Sequence, residues 1–148
     1  MRQGPADFVL ALHSHIPYVL HHGRWPHGSD WLCEAALDSY LPLLEFLRGL
    51  GREGVPAPVT IGFTPVLAGQ LASAAFRAEM EAFFTQRLLA CDDATAALGG
   101  AGEEALLPIV SFWRTRLLRL RRLFQEIDGE LPAAFRALEA AGRVELIG

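Results

Sequence analysis

The stretch DFVLALHSHIPYVLHHGRW, residues 7–25, decides the fold of this chain. It opens on an apolar run, Phe8-Val9-Leu10-Ala11-Leu12, with the length and composition of a buried strand. His13 and His15 follow two residues apart. Side chains on a strand alternate with period two, so the two imidazoles point the same way. They share a face with Val9 and Ala11, while Phe8, Leu10 and Leu12 take the other. Pro17 has no N–H for a ladder, so the strand runs from about Phe8 to His15 and ends near Ile16. The histidines then stand at the C-terminal end of a strand, where α/β barrels and open α/β sheets build their sites.

Working outward, Met1 to Ala6 reads as a short lead-in, and Ile16 to Gly28 as a loop rich in His, Gly and Pro. Ser29 reads as the N-cap of a helix with Asp30 in its first turn. Leu37, Tyr40, Leu41, Leu44 and Leu47 continue that helix at its spacing, and Pro42 inside the pattern is expected to kink or split it. Pro58 leads a second strand, Val59 to Phe63, with Val59, Ile61 and Phe63 on one face and Thr60, Gly62 and Thr64 on the other. Thr64-Pro65 is a helix-start signal for a short helix to about Ser73. A longer helix follows from about Ala75 to Leu98, and Gly99 to Gly102 reads as a break. A further helix spans about Glu103 to Ile127, with the stripe Val110, Trp113, Leu117, Leu120, Phe124 and Ile127. The last, Leu131 to Ala141, stops at Gly142. Arg143 to Ile147 begins a third strand. Strand, helices, strand, helices, strand is the order of a parallel sheet with long helical crossovers.

The composition bounds the function. The 148 residues are 51% hydrophobic and 20% charged, enough for one domain with a core and unlike a disordered or fibrous chain. A net charge of −4 argues against a general nucleic-acid or anionic-membrane binder. No apolar run approaches the roughly 20 residues of a spanning helix. The two cysteines, Cys33 and Cys91, fit no metal or redox spacing, and few cysteines without a signal peptide point to a cytoplasmic setting. Oligomeric state is left open.

His13 and His15 can hydrogen-bond sugar hydroxyls, or they can be core histidines satisfied by the backbone. All five histidines lie between residues 13 and 27, and His-x-His can be half of a zinc site, as in metal-dependent polysaccharide deacetylases. No Asp stands beside the pair on the same strand face, so metal ranks below sugar, and no cofactor is expected. Trp25 offers an indole face for a sugar ring, or packs on the rim; Gly23 and Gly28 would let its loop move. Glu145 alternates with Val144 and Leu146, so it points away from the covering helices if those two pack on them. A carboxylate there needs a partner, for which a first-strand histidine is one option. Arg114, Arg116, Arg119, Arg121 and Arg122 read as the solvated face of a long helix.

Several separated motifs carry a family resemblance. LALHSHIPYV, HGRWPHGSDWLCEA, SYLPLLEFL and VTIGFTPVLAGQLA, in this order, resemble the N-terminus of glycoside hydrolase family 57, and within it the 1,4-α-glucan branching enzymes. GRVELIG resembles the start of the family's second motif, while the match is weaker from about Phe76 to Gln125. The family often has Gln before the motif proline. Here it is Ile16, and the branching group commonly has an aliphatic residue there. The resemblance implies an α/β fold, the N-terminal portion of a (β/α)7 barrel, with residues 1–148 as an incomplete catalytic barrel. It implies an α-glucan substrate, with His13, His15, Trp25 and Glu145 as substrate-binding residues. It places the nucleophilic Glu and acid/base Asp of a retaining mechanism in motifs beyond Gly148, so no catalytic carboxylate is assigned here. Amylase or 4-α-glucanotransferase activity, a metal-dependent deacetylase, and a non-catalytic partner module are the other readings.

Overall fold

The structure, a computed structural model, describes residues 8–56 and 59–148. The expected lead-in Met1 to Ala6 and the start of the second strand at Pro58 lie outside the described residues. Strands β1 (Leu10–Ser14), β2 (Val59–Phe63) and β3 (Glu145–Ile147) form one parallel sheet in the order β1-β2-β3. The crossover from β1 to β2 carries α1 (Ser29–Ala35), a π-helical turn (Ala36–Tyr40) and α2 (Leu41–Arg52). The crossover to β3 carries α3 (Pro65–Leu71), α4 (Ala74–Ala101), a 3₁₀ turn (Glu104–Leu106), α5 (Leu107–Glu126) and α6 (Leu131–Ala140).

The register follows from the period-two patterns. Leu12, Ile61 and Leu146 align in one row, and Ala11, Thr60 and Glu145 in the next. Val59, Ile61 and Val144 are buried, with Leu12, Phe63 and Leu146 packed against the same core. The helices therefore cover that face of the sheet. The other face presents Ala11, His13, Thr60, Gly62, Glu145 and Ile147.

β1 departs from the expected buried strand. Phe8 and Val9 precede it, 86% and 78% exposed, and Leu10 is 43% exposed. Among the described residues β1 is the edge of the sheet, bonded to β2, and Leu12 is its side chain packed against the core.

Aromatic contacts join the sheet to the helices. Tyr40 meets Phe63 edge-on at 5.6 Å, and Phe63 meets Phe135 of α6 at 5.2 Å. Burial raises the Tyr40 hydroxyl's pKa, partly offset by its hydrogen bond with Ser14 at the end of β1. Phe124 of α5 sits between Phe76 and Phe84 of α4, at 5.9 and 6.1 Å.

Helix boundaries show where tertiary context wins. The helix from Ser29 is split before Pro42 by the π turn, and Pro42 falls in the first turn of α2, where a missing N–H costs nothing. Ser29 is not the N-cap. It is the first residue of α1, buried, and its hydroxyl donates to Glu79 Oε2 at 3.1 Å. Helix α4 continues through Gly99 and Gly100 and stops at Gly102, which is left-handed at φ 73°. The stripe of α5 is buried only from Leu117 onward. Trp113 is 45% exposed, because the far half of α4 and the near half of α5 extend beyond the core as a two-helix arm.

The arginines of α5 tie helices together. Arg114 pairs with Asp92 and Arg121 with Glu81, both on α4 and both at 2.9 Å, and Arg119 pairs with Glu45 of α2.

Cys33 lies buried on α1, and burial, with Asp30 and Glu79 nearby, pushes its thiol up to about 12 from 9.0. Iodoacetamide at pH 8 is expected to alkylate half-buried Cys91 and spare Cys33 until the chain unfolds, which peptide mapping reads directly. The sign on stability follows. The native state keeps a proton that the unfolded thiol releases from about pH 9.0 upward, so stability falls as pH rises toward 12. Replacing Cys33 with Ala removes that part of the alkaline loss.

Candidate functional site

The uncovered face of the sheet holds the strongest grouping of polar candidates. His13 faces outward opposite Gly62, with its Nδ1 3.5 Å from where a Cβ on Gly62 would stand. Gly62 is buried in mid-strand between His13 on β1 and Ile147 on β3, and the gap it leaves on this face is about a methyl wide. In the adjacent row Thr60 Oγ1 donates to Glu145 Oε2 at 2.6 Å. His13 and Glu145 are two strands and two residues apart, about 12 Å between Cα atoms from ordinary sheet spacings. That separation explains why the carboxylate takes Thr60 as its partner and not a first-strand histidine. Glu145 opens β3 and so lies two residues below the His13 row, away from the C-terminal edge of the sheet.

His15 lies just past the end of β1, exposed like His13, so neither is a core histidine in this chain. At the same edge Thr64 N–H donates to Ser14 O at 3.2 Å. The Thr64 Oγ1 atom is buried without a hydrogen-bond partner among the described residues. Trp25 is 78% exposed in the loop after β1 and is not packed on the rim. Among the described residues no hydrogen bond or aromatic contact links it to His13, His15 or Glu145. Among the described residues no group of three His, Cys, Asp or Glu could hold a metal ion.

The loop that carries Trp25 is tied down at both ends. Gln70 of α3, 2% exposed, accepts from Val19 N–H at 2.7 Å and Leu20 N–H at 3.4 Å, and donates through Nε2 to Pro17 O at 3.0 Å. Arg24 pairs with Asp30 at 3.0 Å and reaches Gln86 of α4 at 3.2 Å. Ser29 N–H donates to Gly23 O, and Asp30 N–H to Arg24 O. Gly28 is held against Gly23 and serves close packing, so the expected hinge is a clasp. Sequence reasoning missed Gln70 and Thr60. The available signal for Gln70 was a lone amide between the apolar Leu67 and Leu71 at helical spacing, a polar group destined for burial.

A cleft of about 440 Å³ lies elsewhere, between α1, α4 and α5, lined by Phe83, Arg87, Trp113 and Leu117 among others. It shares no residue with the sheet.

Three parallel strands in one sheet with long helical crossovers match the N-terminal portion of the (β/α)7 barrel of the structural neighbours. The comparisons with known proteins narrow this further. A 1,4-alpha-glucan branching enzyme of Thermococcus kodakarensis is 33% identical over 145 residues, covering 98% of this chain and 20% of that protein. The crystal structure of a GH57-type branching enzyme from Pyrococcus horikoshii superposes with a TM-score of 0.88 at 37% identity, over 94% of this chain and 26% of that one. The crystal structure of the T. kodakarensis branching enzyme, in complex with glucose, superposes with a TM-score of 0.82 at 32% identity, over 94% of this chain and 24% of that one. No protein-family model matches. These likenesses make the chain a relative of the GH57 branching enzymes over nearly its whole length, and it spans about a fifth of the length of the curated relative.

Proposed function

We propose that this chain is the N-terminal part of an α-glucan-active enzyme, most closely a 1,4-α-glucan branching enzyme, and supplies part of its donor-sugar site. The observation that carries the reading is the uncovered sheet face, where His13, Gly62 and the Thr60–Glu145 pair lie on neighbouring strands. A sugar ring needs such a floor, with donors and acceptors placed for its hydroxyls. His15 and the exposed Trp25 extend the site, the latter as a stacking face. In the complete enzyme, two carboxylates supplied by other segments carry a retaining double displacement. One forms the glycosyl intermediate and the other acts as acid and then base. Transfer to a 6-hydroxyl of a second glucan then makes the branch. The chain alone is inactive on this reading, because His13 and Glu145 bind and orient and neither takes the nucleophile's part.

Titration of the chain with maltoheptaose, followed by amide chemical shifts, is expected to move Gly62, Thr60 and the residues flanking His13 and Glu145. His13→Ala and Glu145→Gln are each expected to weaken binding roughly tenfold, the scale of one lost hydrogen bond to a charged or well-placed group. Shifts confined to the helices would overturn the site. A glucan-branching assay of the same chain is expected to give no α-1,6 product, and turnover there would overturn the assignment of the catalytic carboxylates to other segments.

A further inference from the structure

The buried Gln70 amide has no part in the binding floor itself, yet among the described residues it is one of two buried polar side chains, the other being Ser29. Its partners are all backbone groups of a single corner, Pro17 O, Val19 N–H and Leu20 N–H. That corner begins two residues after His15 and leads into the loop that presents Trp25. Val19 and Leu20 are 3% and 2% exposed, so their N–H groups cannot turn to water. A side-chain amide matches this need, with one oxygen for two donors and one NH₂ for a carbonyl. Leu67 and Leu71 are buried on the same helix.

We propose that Gln70 is a positioning residue of the sugar site. Inserted from α3, it fixes the Pro17–Leu20 corner and thereby aims His15 on one side and the Trp25 loop on the other. The inference rests on the sugar-site reading above. Gln70 touches no sugar itself; it acts through the corner. Without its amide, two buried N–H groups lose their acceptor and the corner must shift to find another. Displacement of about 1 Å in groups that hold a ligand is enough to weaken their action severely.

The test compares two variants with the wild-type chain in maltoheptaose affinity and in hydrogen exchange at Val19 and Leu20. Gln70→Leu is expected to lose exchange protection at both amides and to bind maltoheptaose roughly tenfold or more weakly. Leu44→Ala, a core change on α2 remote from the loop, serves as the stability control and is expected to keep nearly full affinity. Gln70→Glu gives the readout that a purely structural role would not. When protonated, the introduced carboxyl still donates to Pro17 O and accepts from Val19 N–H. When ionised it can donate nothing and is buried as a charge. Its affinity is therefore expected to approach wild type in acid and to fall as pH rises. His21 and His22 of the same loop are present in both proteins, so the difference between the two profiles isolates position 70. If Gln70→Leu does not fold, the Gln70→Glu profile carries the test. Positioning is overturned if wild type binds and Gln70→Leu binds as well, if it loses no more than Leu44→Ala, or if the Gln70→Glu profile parallels wild type. Absence of maltoheptaose binding by the wild-type chain overturns the sugar-site reading and this inference together. Exchange protection lost in Gln70→Leu would then mark the clamp as purely structural.

Discussion

Replacing Gly28 with Ala is expected to open the loop that presents Trp25 and lower the stability of the chain by about 2–3 kcal/mol. A Cβ at position 28 would stand 2.0 Å from Gly23 O, 2.4 Å from Gly23 C and 2.9 Å from Arg24 N. All three are backbone atoms, so no flexible side chain can swing aside. The clasp formed by Ser29 N–H to Gly23 O at 3.0 Å and Asp30 N–H to Arg24 O at 3.2 Å must break to make room. Two backbone bonds at about 1 kcal/mol each, with some loss from the neighbouring Arg24–Asp30 pair, give the magnitude. Thermal unfolding reads the stability, and acrylamide quenching of tryptophan fluorescence, against a Trp25→Phe reference, reads the loop. Gly62→Ala is the contrasting case. There the nearest atoms are 3.5 Å away, an ordinary contact, so the fold should tolerate the methyl while the gap on the sheet face is filled. An unchanged melting temperature for Gly28→Ala would show that the clasp is not what seats the loop.

Truncating Phe76 to alanine carries the largest expected stability loss, about 3–5 kcal/mol. Phe76 is fully buried and meets Phe124 edge-on at 5.9 Å. It opens α4 under the N-cap of Ser73, whose hydroxyl oxygen accepts from Phe76 N–H at 3.1 Å. The ring thus joins the first turn of α4 to the buried half of α5, and alanine leaves a cavity that rigid helices on both sides cannot close. Domains of this size hold only about 5–15 kcal/mol, so the variant should melt roughly 10 °C lower or fail to fold. Phe112→Ala on the protruding half of α5, where the ring is 61% exposed, should lie within about 0.5 kcal/mol of wild type. Similar losses at the two positions would contradict the division of α5 into a buried and a projecting half.

Local patterns were read correctly where one face decides burial. The strand Val59–Phe63 and the start of α6 at Leu131 stand where the period-two and helical patterns put them. The placement of Glu145 opposite Val144 and Leu146 followed from alternation alone, while the register that puts His13 and Thr60 on one face came from the structure.

Other features depended on partners distant in sequence. Ser29 has the chemistry of an N-cap, but Glu79, fifty residues away, takes its hydroxyl. The glycines at 99 and 100 looked like a break, yet α4 ends only at Gly102, where a left-handed residue lets Glu103 N–H close on Leu98 O. Trp113 continues a perfect apolar stripe, but the stripe cannot say how far the opposing core extends. Gln70 binds a corner about fifty residues before it. By itself, then, the sequence determined the order of strands and helices and the two faces of each strand, because these depend on backbone periodicity. Only the tertiary structure decided that β1 is an exposed edge, that Thr60 partners Glu145, and that Gln70 and Gly28 seat the Trp25 loop, because hydrogen-bond partners and close approaches are set by which distant segments the fold brings together.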